Sequence, residues 1–160
     1  SDRGTVMVTV KEKMVVTQKL SATCPTHARC DISVRDVETV TDEPLDRDGT
    51  NLGLTPTETL SAALIGCTNN IATKIAHKAG LDFEVESVDV EADFDRRGVT
   101  LQEELDVPFE EIRLFITVRT TASDEEIAKV KHDLPRFCAI SKVIRHAGTR
   151  IVENWTIKRP

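Results

Sequence analysis

The chain has 160 residues, 39% hydrophobic and 30% charged, proportions that fit one compact globular domain with a real core and leave little room for two. A formal net charge of -6 and a pI near 5.3 exclude the positive field that draws a protein to phosphate backbones or anionic lipid, so neither nucleic acid nor a membrane is an expected partner. Five Phe, one Trp and no Tyr indicate an aliphatic core with few platforms for stacked bases. No apolar run approaches the roughly 20 residues that span a bilayer. Residues 1–7 lack the pattern of a signal peptide, and a cytoplasmic location is expected.

Residues 5–10 and 14–20, rich in Val, Thr and Met, flank the charged Lys11-Glu12-Lys13 and predict a β-hairpin. A third strand is predicted over 28–34. Residues 36–53 carry many acids, a Pro and two Gly, which predict an exposed loop long enough to suspect a function. The segment 55–80 predicts the central helix: Thr55-Pro56-Thr57-Glu58 has the form of a capping box with Pro at the first helical position, and Gly80 supplies the stop. Leu60, Leu64, Cys67, Ile71 and Ile75 recur at spacings of three and four, which puts Cys67 on the expected buried face. Ala62, Ala63, Gly66, Ala72 and Ala76 keep this helix slim, suited to close packing against a sheet or a second subunit.

Further on, Phe83, Val85, Ser87 and Asp89 alternate with Glu84, Glu86, Val88 and Val90 in a predicted long strand, and residues 112–121 predict a second of higher β-propensity. A charged connection, 95–107, joins them. Ser123-Asp124-Glu125-Glu126 is a second capping box, opening a helix to about Asp133 that Pro135 should end or bend. A short helix over 139–146 and a strand over 150–157 close the chain, the strand presenting Ile151, Glu153, Trp155 and Ile157 on one mixed face.

Four cysteines are too few for a disulfide-stapled scaffold, which directs attention to redox, nucleophilic or metal roles. Cys67, taken alone, reads as a small core hydrophobe. Cys138 stands at a predicted helix N-terminus beside Arg136, where helix-end amides and the cation are expected to lower its pKa. The run from Cys24 through His27 to Cys30 holds three soft ligands but no fourth and no Cys-x-x-Cys spacing, so a loop disulfide or spare thiols is expected there rather than metal. His77, His132 and His146 fall on predicted helices among Lys and Arg, where surface positions are expected.

The run Leu54-Thr55-Pro56-Thr57-Glu58-Thr59-Leu60-Ser61-Ala62-Ala63-Leu64-Ile65-Gly66-Cys67-Thr68 resembles the signature of the OsmC-like family, which includes osmotically inducible protein C and the organic hydroperoxide resistance proteins. Phe137-Cys138-Ala139-Ile140-Ser141-Lys142 resembles the family's second cysteine segment, about seventy residues later, and Asp42-Glu43-Pro44 matches an Asp-x-Pro-like element before the helix. The resemblance implies a single α+β domain over 1–160, with β-strands in 1–40, the central helix at 55–80 and strands, two helices and a last strand in 81–160. Antiparallel sheets would wrap that helix in an intertwined homodimer.

It also implies a thiol-dependent peroxidase for organic hydroperoxides or hydrogen peroxide. Cys67 would be the peroxidatic thiolate and Cys138 the resolving thiol, with an external dithiol or thiol as reductant and no metal or organic cofactor. Arg47, twenty residues ahead of Cys67, would supply the guanidinium. Where peroxidases of the family carry a Glu, ten residues before the cysteine, this chain has Thr57. Glu58, nine before, lies about 180° around a helix from Cys67 and reads as the closing member of the capping box. The second reading is a protein of the same fold that binds a small apolar ligand or senses oxidation without efficient turnover.

Overall fold

The computed structural model describes residues 14–160. They form two compact units that meet in sequence at Thr55 and Pro56. The predicted strand 5–10 lies outside the described residues. Its partner, 14–20, is exposed and irregular rather than a strand. High β-propensity is realised only against a neighbouring strand, and this segment has none among the described residues.

The first unit carries an antiparallel sheet of β1 (Ser21–Thr23), β2 (Cys30–Val34) and β3 (Val37–Thr41), in that order. β3 falls inside the predicted loop 36–53. Val34 pairs with Val37 across Arg35 and Asp36, and Arg35 adopts the left-handed φ of 55°. A tight hairpin usually announces itself by Gly or Asn at such a position, and here there is none.

The rest of that loop is organised from within by the inaccessible carboxylate of Asp42. It accepts hydrogen bonds from the amides of Glu43 (2.8 Å), Leu52 (3.1 Å) and Thr50 (3.3 Å) and from the Thr50 hydroxyl (2.5 Å). These donors, the Thr50 hydroxyl foremost, hold the Asp42 pKa down at about 2. Gly49 and Gly53 allow the close approach: a Cβ on either would run into a backbone carbonyl, that of Glu43 or of Val40. A short 3-10 helix, Leu45–Arg47, follows Pro44.

The second unit opens with α1 (Pro56–Lys78), bounded as its Pro and Gly predict. Gly80 takes φ 74°, and the amides of Gly80 and Leu81 bond back to His77 and Ala76, the two bonds of a Schellman stop. β4 (Phe83–Phe94) pairs antiparallel with β5 (Phe109–Thr120). A register shift between Val85 and Ser87 exchanges the two faces of β4. Phe83 and Val85 therefore share the inner side with Val88, Val90, Ala92 and Phe94, whereas unbroken alternation would have turned Ser87 and Asp89 inward.

α2 (Asp124–Phe137), α3 (Ala139–His146) and β6 (Arg150–Lys158) complete the unit. β6 lies parallel to β5, not antiparallel as expected, because the two helices form the crossover that a parallel pair requires. The capping box at Ser123 and Glu126 is present in full. α2 runs past Asp133 through Pro135 to Phe137, since a proline in the last turn removes only one amide donor while its fixed φ remains helical. Ile112, Leu114, Ile116 and Val118 of β5 form a buried row beneath α1, α2 and α3. Each helix adds to the same core, through Leu64 and Ala72, Val130 and Leu134, and Ile144.

Candidate active site

α1 and the junction of α2 with α3 bring two thiols together. The fully buried row of α1 is Leu64, Thr68, Ala72 and Ala76. Cys67, Ile71 and Ile75 form the adjoining row and are only partly buried, so Cys67 sits beside the buried face rather than at its centre. Cys138 is 1% exposed and caps the N-terminus of α3. Its thiol donates to the Cys67 sulfur at 2.8 Å, and its own sulfur accepts from the Ser141 amide at 3.4 Å. All four cysteines are free thiols. Disulfide formation needs the Cys67–Cys138 separation to shrink to about 2.05 Å.

The electrostatics of Cys138 reverse the expectation from sequence. Burial, joined by the hydrogen bond to Cys67, pushes its thiol up from the ordinary 9.0 to about 11. The amides of Ser141 and Ile140 oppose this and lose. Arg136 is engaged elsewhere, with Asp133 at 3.0 Å and over the ring of Phe137 at 5.6 Å. Cys138 is thus a proton holder, and the Cys67 sulfur is the atom toward which its proton points.

A chain of four side chains leads away from Ser141, whose amide bonds Cys138, and the sequence did not show that they connect. The Ser141 hydroxyl accepts from Arg145 Nε at 3.0 Å, and Arg145 reaches the Glu153 carboxylate at 3.7 Å. Trp155 Nε1 donates to the same carboxylate at 3.1 Å. Burial raises the Glu153 pKa, with the Trp155 donor and the charges of Arg145 and Lys131 opposing. The visible signal was Glu153 itself, a carboxylate on the otherwise apolar face of a strand. Such a group needs a buried partner, and only the packing of α3 over β6 shows that Arg145 is that partner.

Arg47 belongs to the first unit. Its Nε stands 3.8 Å from the carboxylate of Glu43, and its side chain is half exposed. Thr57 and Glu58 lie in the first turn of α1. Among the described residues no group of three or more His, Cys, Asp and Glu converges as a metal site, and no helix is long and apolar enough to cross a membrane.

With the two thiols in contact at the spacing of the two motifs, the family match is decisive: residues 49–153 match the OsmC-like protein family. The chain belongs to the OsmC-like family. Its fold is similar to that of the OsmC-like protein from Mycoplasma pneumoniae, with a TM-score of 0.72, 15% identity and coverage of 91% of this chain and 99% of that one. It is also similar to an organic hydroperoxide resistance protein OsmC from Legionella pneumophila (TM-score 0.60, 13% identity, 91% and 99% coverage). The organic hydroperoxide resistance protein of Bacillus subtilis has a TM-score of 0.53 at 20% identity, with 89% and 98% coverage. No curated protein matches the chain.

This OsmC-like protein also has an apolar groove of about 790 Å³ between α1 and α2. Ile71, Ile75, Leu81, Val130 and Phe137 line it, with Lys74, Lys78, Lys129, Glu126 and Asp133 at its edges. Two lining residues neighbour the thiols in sequence: Phe137 precedes Cys138, and Ile71 follows Cys67 by one helical turn.

Proposed function

We propose that this OsmC-like protein is a cysteine peroxidase that reduces organic hydroperoxides or hydrogen peroxide through Cys67 and Cys138. The observation that carries the reading is the 2.8 Å contact in which a protonated Cys138 donates to the Cys67 sulfur. Cys138 is the donor and the Cys67 sulfur the acceptor in this contact, so Cys67 is the sulfur we assign to the attack and Cys138 the proton source. The Cys67 thiolate attacks the outer peroxide oxygen, the O–O bond breaks, and an alcohol leaves with one proton from solvent. Cys67 becomes a sulfenic acid. The Cys138 sulfur then attacks the Cys67 sulfur, and the hydroxyl departs as water with the Cys138 proton. An external dithiol reopens the disulfide by exchange, with no resident metal or organic cofactor required.

Arg47, paired with Glu43 at 3.8 Å within the first unit, is the residue that the family resemblance offers as the guanidinium. The apolar groove beside both thiol-bearing segments fits the hydrocarbon part of an organic peroxide better than a bare hydrogen peroxide. Residues 1–160 act as one OsmC-like domain, a reading supported by a family match that runs across the boundary of the two units. The working form is a homodimer, a reading supported by Phe137 on α2 and Val143 on α3, which are 61% and 67% exposed. Light scattering reads that mass directly, and a monomer at micromolar concentration overturns the dimer.

The deciding experiment is the intact mass of the reduced protein after one equivalent of cumene hydroperoxide, with peptide mapping. A loss of two hydrogens mapped to Cys67 and Cys138 is expected. Unchanged thiols overturn the peroxidase reading and leave the groove as a ligand site. Cys67→Ser abolishes turnover, whereas Cys138→Ser permits one turnover followed by over-oxidation of Cys67.

A further inference from the structure

The first unit holds a second pair of sulfurs. Cys24 follows the last residue of β1, and Cys30 opens β2. The β1–β2 register pairs Ser21 with Ser33, Ala22 with Ile32 and Thr23 with Asp31, so its next step sets Cys24 opposite Cys30. Their sulfurs are 3.5 Å apart and share a hydrogen bond, which raises the Cys24 pKa. Closure to a disulfide requires the sulfurs to approach by about 1.5 Å.

The five residues between them are already folded into the loop that a disulfide would close. Thr26 Oγ1 accepts from the amides of Ala28 (3.2 Å) and Arg29 (2.9 Å), pinning the turn. Arg29 then forks onto Asp31, with Nε and Nη2 at 2.8 and 3.0 Å from the two carboxylate oxygens. The entropy of bringing the two ends together is therefore already spent in the dithiol form. Structural free cysteines are typically buried, yet Cys24 is exposed and Cys30 only partly covered. An accessible pair in preformed contact is suited to exchange with reagents in solution.

We propose that Cys24 and Cys30 are a second redox couple, which interconverts between a dithiol and a loop disulfide by exchange with small disulfides and thiols of the glutathione class. One thiolate attacks a sulfur of the small disulfide, releases one small thiol and leaves a mixed disulfide. The second cysteine attacks the protein sulfur of that mixed bond and releases the other small thiol. Two electrons and two protons pass from the protein to the small disulfide, and excess small thiol reverses both steps. This couple stands whether or not the peroxidase reading of Cys67 and Cys138 holds.

The test uses the full chain in glutathione buffers of graded oxidation, quenched in acid, alkylated and cleaved with trypsin. Cleavage after Lys19, Arg29 and Arg35 separates the two cysteines, so their disulfide appears as a linked pair of peptides, distinct from anything formed by Cys67 and Cys138. A linked pair that rises with oxidation, reverses with added glutathione and does not depend on protein concentration is expected. Thr26→Ala should raise the share of mixed glutathione disulfide over loop disulfide by about 2- to 10-fold, the loss of one or two hydrogen bonds. Free thiols in fully oxidised buffer, mixed disulfides alone or links only between chains overturn the couple. An unchanged ratio in Thr26→Ala overturns the role given to the pinned turn.

Discussion

Cys67→Ser, made together with Cys24→Ser and Cys30→Ser, leaves Cys138 as the one thiol of the chain; in the intact pair that thiol is pushed up to about 11, mainly by burial. Burial survives this substitution, so Cys138 should remain protonated well above the ordinary 9.0. Near pH 8 an ordinary thiol is about one-tenth thiolate, and a thiol at the value of the intact pair is about one-thousandth, so the deficit of Cys138 in the variant has an upper limit of roughly 100-fold. The more basic thiolate is the better nucleophile, which at that limit returns about 6- to 10-fold, so Cys138 should be slower than a free cysteine peptide by up to roughly 10- to 15-fold. The assay is the rate of reaction with a neutral dipyridyl disulfide as a function of pH, read by release of pyridinethione. Restricted access lowers the whole curve, whereas a raised pKa moves its plateau, so the two effects separate. The peptide should level off near 9.0, and Cys138 should keep climbing about tenfold per pH step past that point, toward the value of about 11 that it has in the intact pair. A plateau at or below 9.0 would refute the reasoning, because burial would then not be holding the Cys138 proton.

Three further outcomes follow from the packing and the charges. Leu64 is wholly buried in the core, so Leu64→Ala should cost about 2–5 kcal/mol in denaturant unfolding, and a loss below 1 kcal/mol would show that α1 does not carry the core. Asp42 has a depressed pKa, so its contribution is complete above 3.8 and lost as pH falls toward about 2; the stability gap between wild type and Asp42→Asn should close over that window, and a constant gap would sink the account. Glu153 has a raised pKa, so the unfolded state ionises first and stability declines as pH rises through 4.5. Arg145→Met should steepen that decline and Arg145→Met/Glu153→Gln should flatten it, both visible as Tm against pH.

Much of the second unit was legible residue by residue. Pro56 and Gly80 bound α1, Ser123 and Glu126 cap α2, and α3 spans the predicted 139–146. The two cysteine motifs named the pair that lies in contact. β3 was not legible, because Arg35 occupies the turn where a glycine would have signalled a hairpin. The bulge in β4 was not legible either. Nothing local to Glu86 marks a register shift, which follows from the apolar residues on both sides seeking one core.

Caps, stops and periodicity are written in residues within a turn or two of one another, so the sequence by itself determines where this chain's helices begin and end. What packs over a group is set by segments far away in the chain. Only the tertiary structure could show that Asp42 is buried among donors, that Glu153 meets Arg145, and that desolvation outweighs the helix-end amides at Cys138. A thiol's proton affinity depends on the water removed from it, and that water is removed by residues the local sequence does not contain.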